Sequence, residues 1–426
     1  MNPQVAHLPC MRHFEITHGV LTLGGHPLTE LADRAGGTPF YAYDPTALDA
    51  RVGELRTALP PDLRLHYAVK ANPMPEVVRH LARRVDGFDV ASLGELQRVL
   101  ECGGAAAETG FAGPGKRDPE LAAALRAGAV IHLESPGEAE RVRRLCAALD
   151  RTARVTLRIN PDFALKGSGM RMGGGPQPFG VDAEQAPALL RQLADPAFDF
   201  LGFHIFAGSQ NLQANALIAA HDRLFELAHH LAAGAPEPVR LLNIGGGFGI
   251  PYFPHDRPVD LAPVAENLAH WMERPGLVRD GARVVLELGR YLVGEAGIYV
   301  TSVIDRKASR GRTYLITDGG LHHHLAASGN LGQVIRKNYP VAVGNRMDEE
   351  AVETASVAGP LCTPLDLLAD DIPLPRAEPG DLIVVFQSGA YGLTASPTGF
   401  LSHPPPPELW VGDPVMAYNR TDDTSA

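Results

Sequence analysis

The chain has 426 residues, 45% of them hydrophobic and 20% charged; that is enough to bury two cores and too long for one compact domain of average size. Its net charge of −11 is spread along the chain with no acidic tail. That balance argues against nucleic acid as a partner, but not against an anionic cofactor, because local donors and not net charge hold a phosphate. Four cysteines without a CxxC pair signal neither a zinc site nor a disulfide framework. No basic-then-apolar leader opens the sequence, and no apolar run reaches the ~18 residues of a membrane span, so the expectation is a cytoplasmic protein with no membrane partner.

In chain order, residues 14–31 read as a hairpin. From about residue 38, short apolar runs alternate with amphipathic helices. PFYAYD (39–44) predicts a strand and ALDARVGELRTAL (47–59) a helix, its apolar residues three and four apart. Further strands are expected at 63–71, 87–92, 109–114, 129–135, 154–160, 200–209, 240–249 and 283–290. Eight or so strand–helix units in roughly 250 residues fit a closed (β/α)8 TIM barrel. An open doubly wound sheet is the alternative, since periodicity does not show closure.

After residue 290 the texture becomes β-rich, with runs at 297–307, 312–320, 338–345, 354–362, 381–389 and 408–414. This predicts a C-terminal all-β domain. The expected fold class is α/β, with residues 1–37 as strands joining the β-domain, 38–285 as the barrel and 286–426 as the β-domain.

Charged residues at the ends of barrel strands face the active-site side of such a fold. Lys70 ends HYAVKANP; it is either a snorkelling strand-end lysine or a Schiff-base lysine tuned by desolvation. Gly245, Gly246 and Gly247 follow the strand LLNI, either as a tight turn or as amides cradling a phosphate. Ser209 would add a hydroxyl and Arg290 a cation. Glu287, three residues before Arg290, is either half of a structural ion pair or the partner that keeps a pyridine nitrogen protonated. His204 is a core histidine or a ring stacked on a flat cofactor. Cys362 is a loop cysteine, a type that is usually inert. His322, His323 and His324 are adjacent, so they do not share one face of a regular element and no metal site is expected. Pro404–Pro407 reads as a stiff polyproline turn.

The motifs YAVKANP, GFDVASLGEL, LRINPD, GFHIFAGSQ, NIGGGFG, ELGRYLVGEAG, GPLCTPLD and SGAYG occur in this order. As a set they resemble the fold-type III decarboxylases dependent on pyridoxal 5′-phosphate, the group of diaminopimelate, ornithine and arginine decarboxylases, with an alanine racemase-like barrel. The resemblance spans about residues 14–413 and implies several roles. Lys70 matches the cofactor-binding lysine, His204 the histidine stacked on the pyridine ring, and Glu287 the acid on its nitrogen. Ser209, Gly246, Gly247, Arg290 and Tyr391 match the phosphate-binding set. Asp89 and Glu95 match acids near the lysine and cofactor, and Arg158 a residue close to the ring. Cys362 matches the group that protonates the substrate α-carbon. The resemblance also implies a homodimer with shared sites, Cys362 and Tyr391 coming from the partner.

Where diaminopimelate decarboxylases carry an arginine and a tyrosine after the DGG turn, this chain reads DGGLHHHLAASGNLGQ. It has Thr363, not glutamate, after Cys362. The segments NPDFALKGSGMRMGGG, DGGLHHHLAASGN and SPTGFLSHPPPPE are similar to a subfamily associated with exosortase systems, and to decarboxylases of a glutamyl group on an acyl-carrier protein. That similarity implies a carrier-tethered substrate as the favoured partner, ahead of a free amino acid such as diaminopimelate. Loop 166–175, with Lys166 and Arg171, is either the place that meets the carrier or an ordinary solvated loop. The rival expectations are an amino-acid racemase, against which Glu287 speaks, and a non-catalytic pyridoxal-phosphate-binding regulator.

Overall fold

A computed structural model describes residues 9–419 apart from 168, 172, 254, 278–280, 332, 334 and 335. The chain forms two compact units. One comprises residues 52–249 and 259–289, the other residues 1–51, 250–258 and 290–426.

The first unit contains eight parallel strands. They are β1 (Arg64–Ala68), β2 (Gly87–Val90), β3 (Thr109–Phe111), β4 (Val130–Leu133), β5 (Ala153–Asn160), β6 (Phe198–Ile205), β7 (Leu241–Asn243) and β8 (Arg283–Leu288). Each pairs with the next, and β8 pairs with β1, Glu287 opposite His66. The ring is closed, so the barrel and not the open sheet is the fold.

The helices between strands begin where the sequence supplies caps. Ser92 accepts from the amide of Glu95 at the start of Leu93–Glu101, and Ser135 from Glu138 at the start of Pro136–Leu149. Asp118–Ala127 ends on Gly128 at φ 78°, a left-handed position that glycine takes without steric cost. The helix Ala214–Ala232 buries Leu217, Ala220, His221, Leu224, Phe225, Ala228 and Leu231, the 3–4 spacing of one face. Phe225 stacks on Trp271 of the helix Leu261–Glu273, with centroids 5.2 Å apart.

The second unit is built on a nine-stranded sheet. Its longest strand, Gly297–Ser309, pairs with Arg312–Thr317, Leu382–Val385 and Phe40–Tyr43. The run 39–44, read as the first of the alternating strands, therefore belongs to this sheet and not to the barrel. Phe40–Tyr43 is buried throughout, and a short all-buried strand looks the same whichever sheet receives it. The hairpin Glu15–Thr17 and Val20–Leu23 forms as read, but Leu28–Arg34 is a helix. Leu21, Leu23, Leu28 and Leu31 share one core with Phe40, Ile298, Val384 and Leu409. Among the described residues no helix is long and apolar enough to cross a membrane.

Candidate active site

The barrel interior is polar along much of its length. Asp89 on β2 is buried, its Oδ2 3.1 Å from His66 Nδ1 and its Oδ1 3.2 Å from His132 Nε2. Asn243 Nδ2 donates to the same Oδ1 at 3.2 Å. Burial pushes the Asp89 carboxyl up; His132 and His66 outweigh it and hold it well below the usual carboxylate range. Gly110 on β3 makes room for this cluster, because a Cβ there would strike His132 and Asp89. His132 lies with its ring centroid 4.4 Å from that of His204, and burial lowers its pKa to about 4.

Glu287 on β8 is buried, with Oε2 3.2 Å from His204 Nε2 and Oε1 3.8 Å from Lys70 Nζ. Burial and the Asp89 charge push its carboxyl up; His204 and Lys70 more than offset them, and the group stays below the ordinary glutamate value. The contact with His204 lacks the alignment of a hydrogen bond. Glu287 Oε2 and both ring nitrogens of His204 are buried without a hydrogen-bond partner among the described residues. Such atoms are costly to leave unpaired. The Glu287 oxygen fits a donor nitrogen on a flat heteroaromatic ring, and the imidazole face of His204 beside it offers such a ring a stacking surface.

Lys70 falls in the 3-10 turn Val69–Ala71 directly after β1. The turn is held by the Tyr67 hydroxyl donating to the carbonyl of Asn72 and by the Met74 amide donating to Asn72 Oδ1. Its neighbours Val69 and Ala71 are buried, but the Lys70 side chain is 48% exposed. The expected desolvation of its ammonium is not met within the chain: Nζ sits at the mouth, 5.7 Å from the Phe206 ring centroid.

Glu95 is a capping residue. Its Oε2 accepts from the Ala91 amide at 2.7 Å while Ser92 accepts from its own amide, a relative of the capping box in which the glutamate reaches one residue beyond the N-cap. Burial raises its carboxyl against the Ala91 hydrogen bond and the Lys70 charge. Arg158 on β5 is the register partner of His204 on β6, so both side chains face the barrel axis. Its Nη1 donates to Glu134 Oε1 at 2.8 Å.

The glycine run closes β7. Gly245 and Gly247 have φ of 64° and 89°, the region that favours glycine. A Cβ on Gly246 would strike the carbonyl of Glu287. Gly245 donates its amide to Asn243 Oδ1 at 2.8 Å, so Asn243 joins this loop to Asp89. Ser209 is half-buried in a short strand, Gly208–Ser209, paired with Met170–Arg171.

In the second unit Arg290 starts the helix Arg290–Val293. Its Nη1 donates to the Tyr252 hydroxyl at 2.5 Å, and its guanidinium lies 4.7 Å from the Tyr391 ring centroid. The resemblance takes Tyr391 from a partner; here Tyr391 meets Arg290 within its own chain, cation over ring. Cys362 is exposed in the loop between Glu353–Ala358 and Leu367–Leu374. Asp366 is buried and accepts from the amides of Leu321 and Leu361 at 2.6 and 2.8 Å, so it staples two loops. His322, His323 and His324 are buried. His323 faces the Pro404 carbonyl at 3.1 Å and His324 the Ser388 hydroxyl at 2.9 Å. Among the described residues no cluster is suited to a metal ion.

The motif reading passed over His66, His132, Asn243, Lys116, Glu134 and Glu138. Glu134 had a signal, a carboxylate directly after an apolar strand, equal to the one that drew attention to Lys70.

Residues 46–294 match the family described as pyridoxal-dependent decarboxylase, pyridoxal binding domain. The chain is 36% identical to the L-glutamyl-[BtrI acyl-carrier protein] decarboxylase of Niallia circulans, over 87% of this chain and 88% of that one. It is 35% identical to a diaminopimelate decarboxylase of Deinococcus radiodurans, over 94% and 97%. The structure of a diaminopimelate decarboxylase from Helicobacter pylori complexed with L-lysine superposes with a TM-score of 0.82 at 26% identity, covering 91% of this chain and 95% of that one.

Proposed function

The chain belongs to the pyridoxal-dependent decarboxylases, and from that premise we propose that it decarboxylates an amino-acyl group carried on a carrier protein, with Lys70 as the cofactor-binding lysine. The observation that carries the assignment of the site is the pairing of Lys70 with a buried Glu287 beside His204, where Glu287 Oε2 and the His204 ring nitrogens lack hydrogen-bond partners among the described residues.

Pyridoxal phosphate, when bound, supplies the electron sink for the pair left as the carbon–carboxylate bond breaks. Lys70 Nζ would hold the cofactor through its aldehyde carbon, and its exposure at the mouth leaves it within reach of a substrate amine. Glu287, kept ionised by His204 and Lys70, accepts a hydrogen bond from the ring nitrogen and keeps that nitrogen protonated. His204 offers its face to the ring. Gly246 and Gly247 would admit the phosphate to bare backbone, with Ser209 adding a hydroxyl; Arg290 and Tyr391 are assigned to the same holding set by the resemblance alone. Asp89 and Glu95 bring negative charge near Glu287 and Lys70: the Asp89 charge pushes the Glu287 carboxyl up, and the Lys70 charge pulls the Glu95 carboxyl down. Arg158, the register partner of His204 on the neighbouring strand, would lie close to the ring. Cys362, on an exposed loop, returns the proton to the α-carbon in the site of a second copy, so the working unit is a homodimer.

Two features favour a tethered substrate over free diaminopimelate. His323 and His324, in the run that follows the DGG turn, are buried and engaged inside the second unit, and Asp366 is spent on backbone amides. Neither set is available for a distal ammonium and carboxylate, and a site lacking polar partners rejects such groups by large factors.

CO2 release from cofactor-loaded protein tests the reading, with free diaminopimelate, ornithine, lysine, arginine, glutamate and glutamyl-carrier protein as substrates. Turnover confined to the carrier-bound form is expected; turnover of a free diamino acid would sink the tethered substrate. Lys70→Ala is expected to lose the absorbance near ~420 nm of the lysine-bound cofactor, and a surviving band would refute the lysine assignment. Mixing Lys70→Ala with Cys362→Ala protein is expected to restore activity through hybrid dimers; no rescue under confirmed subunit exchange would refute the shared site.

A further inference from the structure

Four charged side chains meet at the barrel mouth in a cluster of which the steps above use only Arg158. Lys116, Glu134, Glu138 and Arg158 have side-chain exposures of 1%, 2%, 3% and 10%. Glu134, directly after β4, is its centre. Its Oε1 accepts from Arg158 Nη1 at 2.8 Å and from the Gly113 amide at 2.5 Å, and its Oε2 accepts from the Gly180 amide at 3.1 Å. Lys116 Nζ lies 2.9 Å from Glu138 Oε1 and 4.0 Å from Glu134 Oε1, and donates to the carbonyls of Gly113 and His132. Glu138 in turn accepts from the Glu134 amide at 2.8 Å. Two cations and two carboxylates balance in a nearly dry place. Buried ion clusters add little net stability over apolar packing, so geometry is the better reason to carry one.

We propose that Glu134 is a positioning residue: it fixes the Arg158 guanidinium at the barrel mouth beside His204 and joins to the same point the end of the segment 161–180 through the Gly180 amide. The inference rests on the reading of this mouth as the cofactor site. Lys116 supplies the countercharge that lets Glu134 stay ionised, and Glu138 holds Lys116. Three elements thus converge on one carboxylate: the loop after β3 through Gly113, β5 through Arg158, and the start of the turn at Gly180. Gly180 stands at φ 72°, and a Cβ there would crowd the backbone of Arg158, Ile159 and Asn160. A neutral amide does not replace the carboxylate. With its oxygen toward Arg158 and Gly113, a glutamine turns its NH2 against the Gly180 amide; flipped, it turns the NH2 against the other two donors.

The test uses Glu134→Gln, Arg158→Gln and the double variant, with Glu134→Asp as the conservative substitute should Glu134→Gln not fold. In the cofactor-free protein, hydrogen exchange of at least one of the Gly113 and Gly180 amides is expected to quicken about tenfold or more in Glu134→Gln, and both are expected to stay slow in Arg158→Gln. Pyridoxal phosphate affinity, read by fluorescence titration, is expected to fall about tenfold in each single variant and no further in the double variant. Unchanged exchange at both amides, or full additivity of the two affinity losses, would overturn the proposal. Failure of the unaltered protein to take up pyridoxal phosphate would instead overturn the cofactor reading, while the exchange experiment still decides the clamp.

Discussion

At the scale of single residues, the barrel interior is governed by the cost of buried charge. Asp89 stays ionised because three donors surround it, and Lys116 because two carboxylates face it, although burial lowers its pKa. Removing one member of such a set leaves the rest uncompensated. Lys116→Met is therefore expected to destabilise the protein by ~3–5 kcal/mol, measured as a loss of unfolding free energy in urea. A change below about 1 kcal/mol would mean that the cluster relaxes or admits water. Gly246→Ala tests a different constraint, since the added methyl meets the backbone carbonyl of Glu287 and not a flexible side chain. Overpacking of this kind costs about 1–3 kcal/mol. It is expected to weaken pyridoxal phosphate binding as well, because β7 and β8 must part at the phosphate loop; retained affinity in a titration would remove Gly246 from the holding set.

At the scale of elements, the barrel repeats one local device. An apolar strand ends, a serine caps the next helix, and a glutamate three residues into that helix reaches back to the chain. Ser92 with Glu95 and Ser135 with Glu138 both do this. The device explains why acids gather at the mouth, where Glu95 and Glu138 are raised by burial. Ser92→Ala removes one acceptor from the start of Leu93–Glu101 and is expected to cost ~1 kcal/mol, seen as a lower urea midpoint with an unchanged slope. An altered slope would mean that the helix end unravels beyond the cap.

At the scale of the whole molecule, histidine burial sets the response to acid. His132 and His221 in the barrel unit, and His323 in the other, have pKa values lowered to about 4; for His322 and His324 the values are about 3. Desolvation is the first cause in each. A folded pKa below the unfolded ~6.5 means that the unfolded chain binds the proton and the folded chain does not. Stability is therefore unaffected above pH ~7 and falls as pH drops from ~6.5 toward ~4, by up to ~1.4 kcal/mol per pH unit for each group. Glu95, Glu138 and Asp366, raised by burial, act in the opposite sense lower on the scale. Calorimetry at pH 5.5 in buffers of different ionisation enthalpy is expected to show uptake of several protons on unfolding. Uptake of none would mean that these histidines are charged in the folded protein.

Strand–helix alternation, the β-rich second half and the ordered motifs were legible in the sequence because they depend on local periodicity and on residue types at strand ends. Lys70, His204, Glu287 and the glycine run were found that way, and the structure places all of them at the barrel's interior or on the turns that close its strands. The tertiary structure alone decided the rest. Closure of the ring depends on β8 finding β1 across more than 200 residues, which no local pattern records. The strand Phe40–Tyr43 went to the second sheet because its partners, Gly297–Val300 and Glu408–Trp410, lie far along the chain. The Lys116–Glu134–Glu138–Arg158 cluster and the Asp89 network are visible only after folding, since a buried charge takes its meaning from neighbours that the sequence keeps apart.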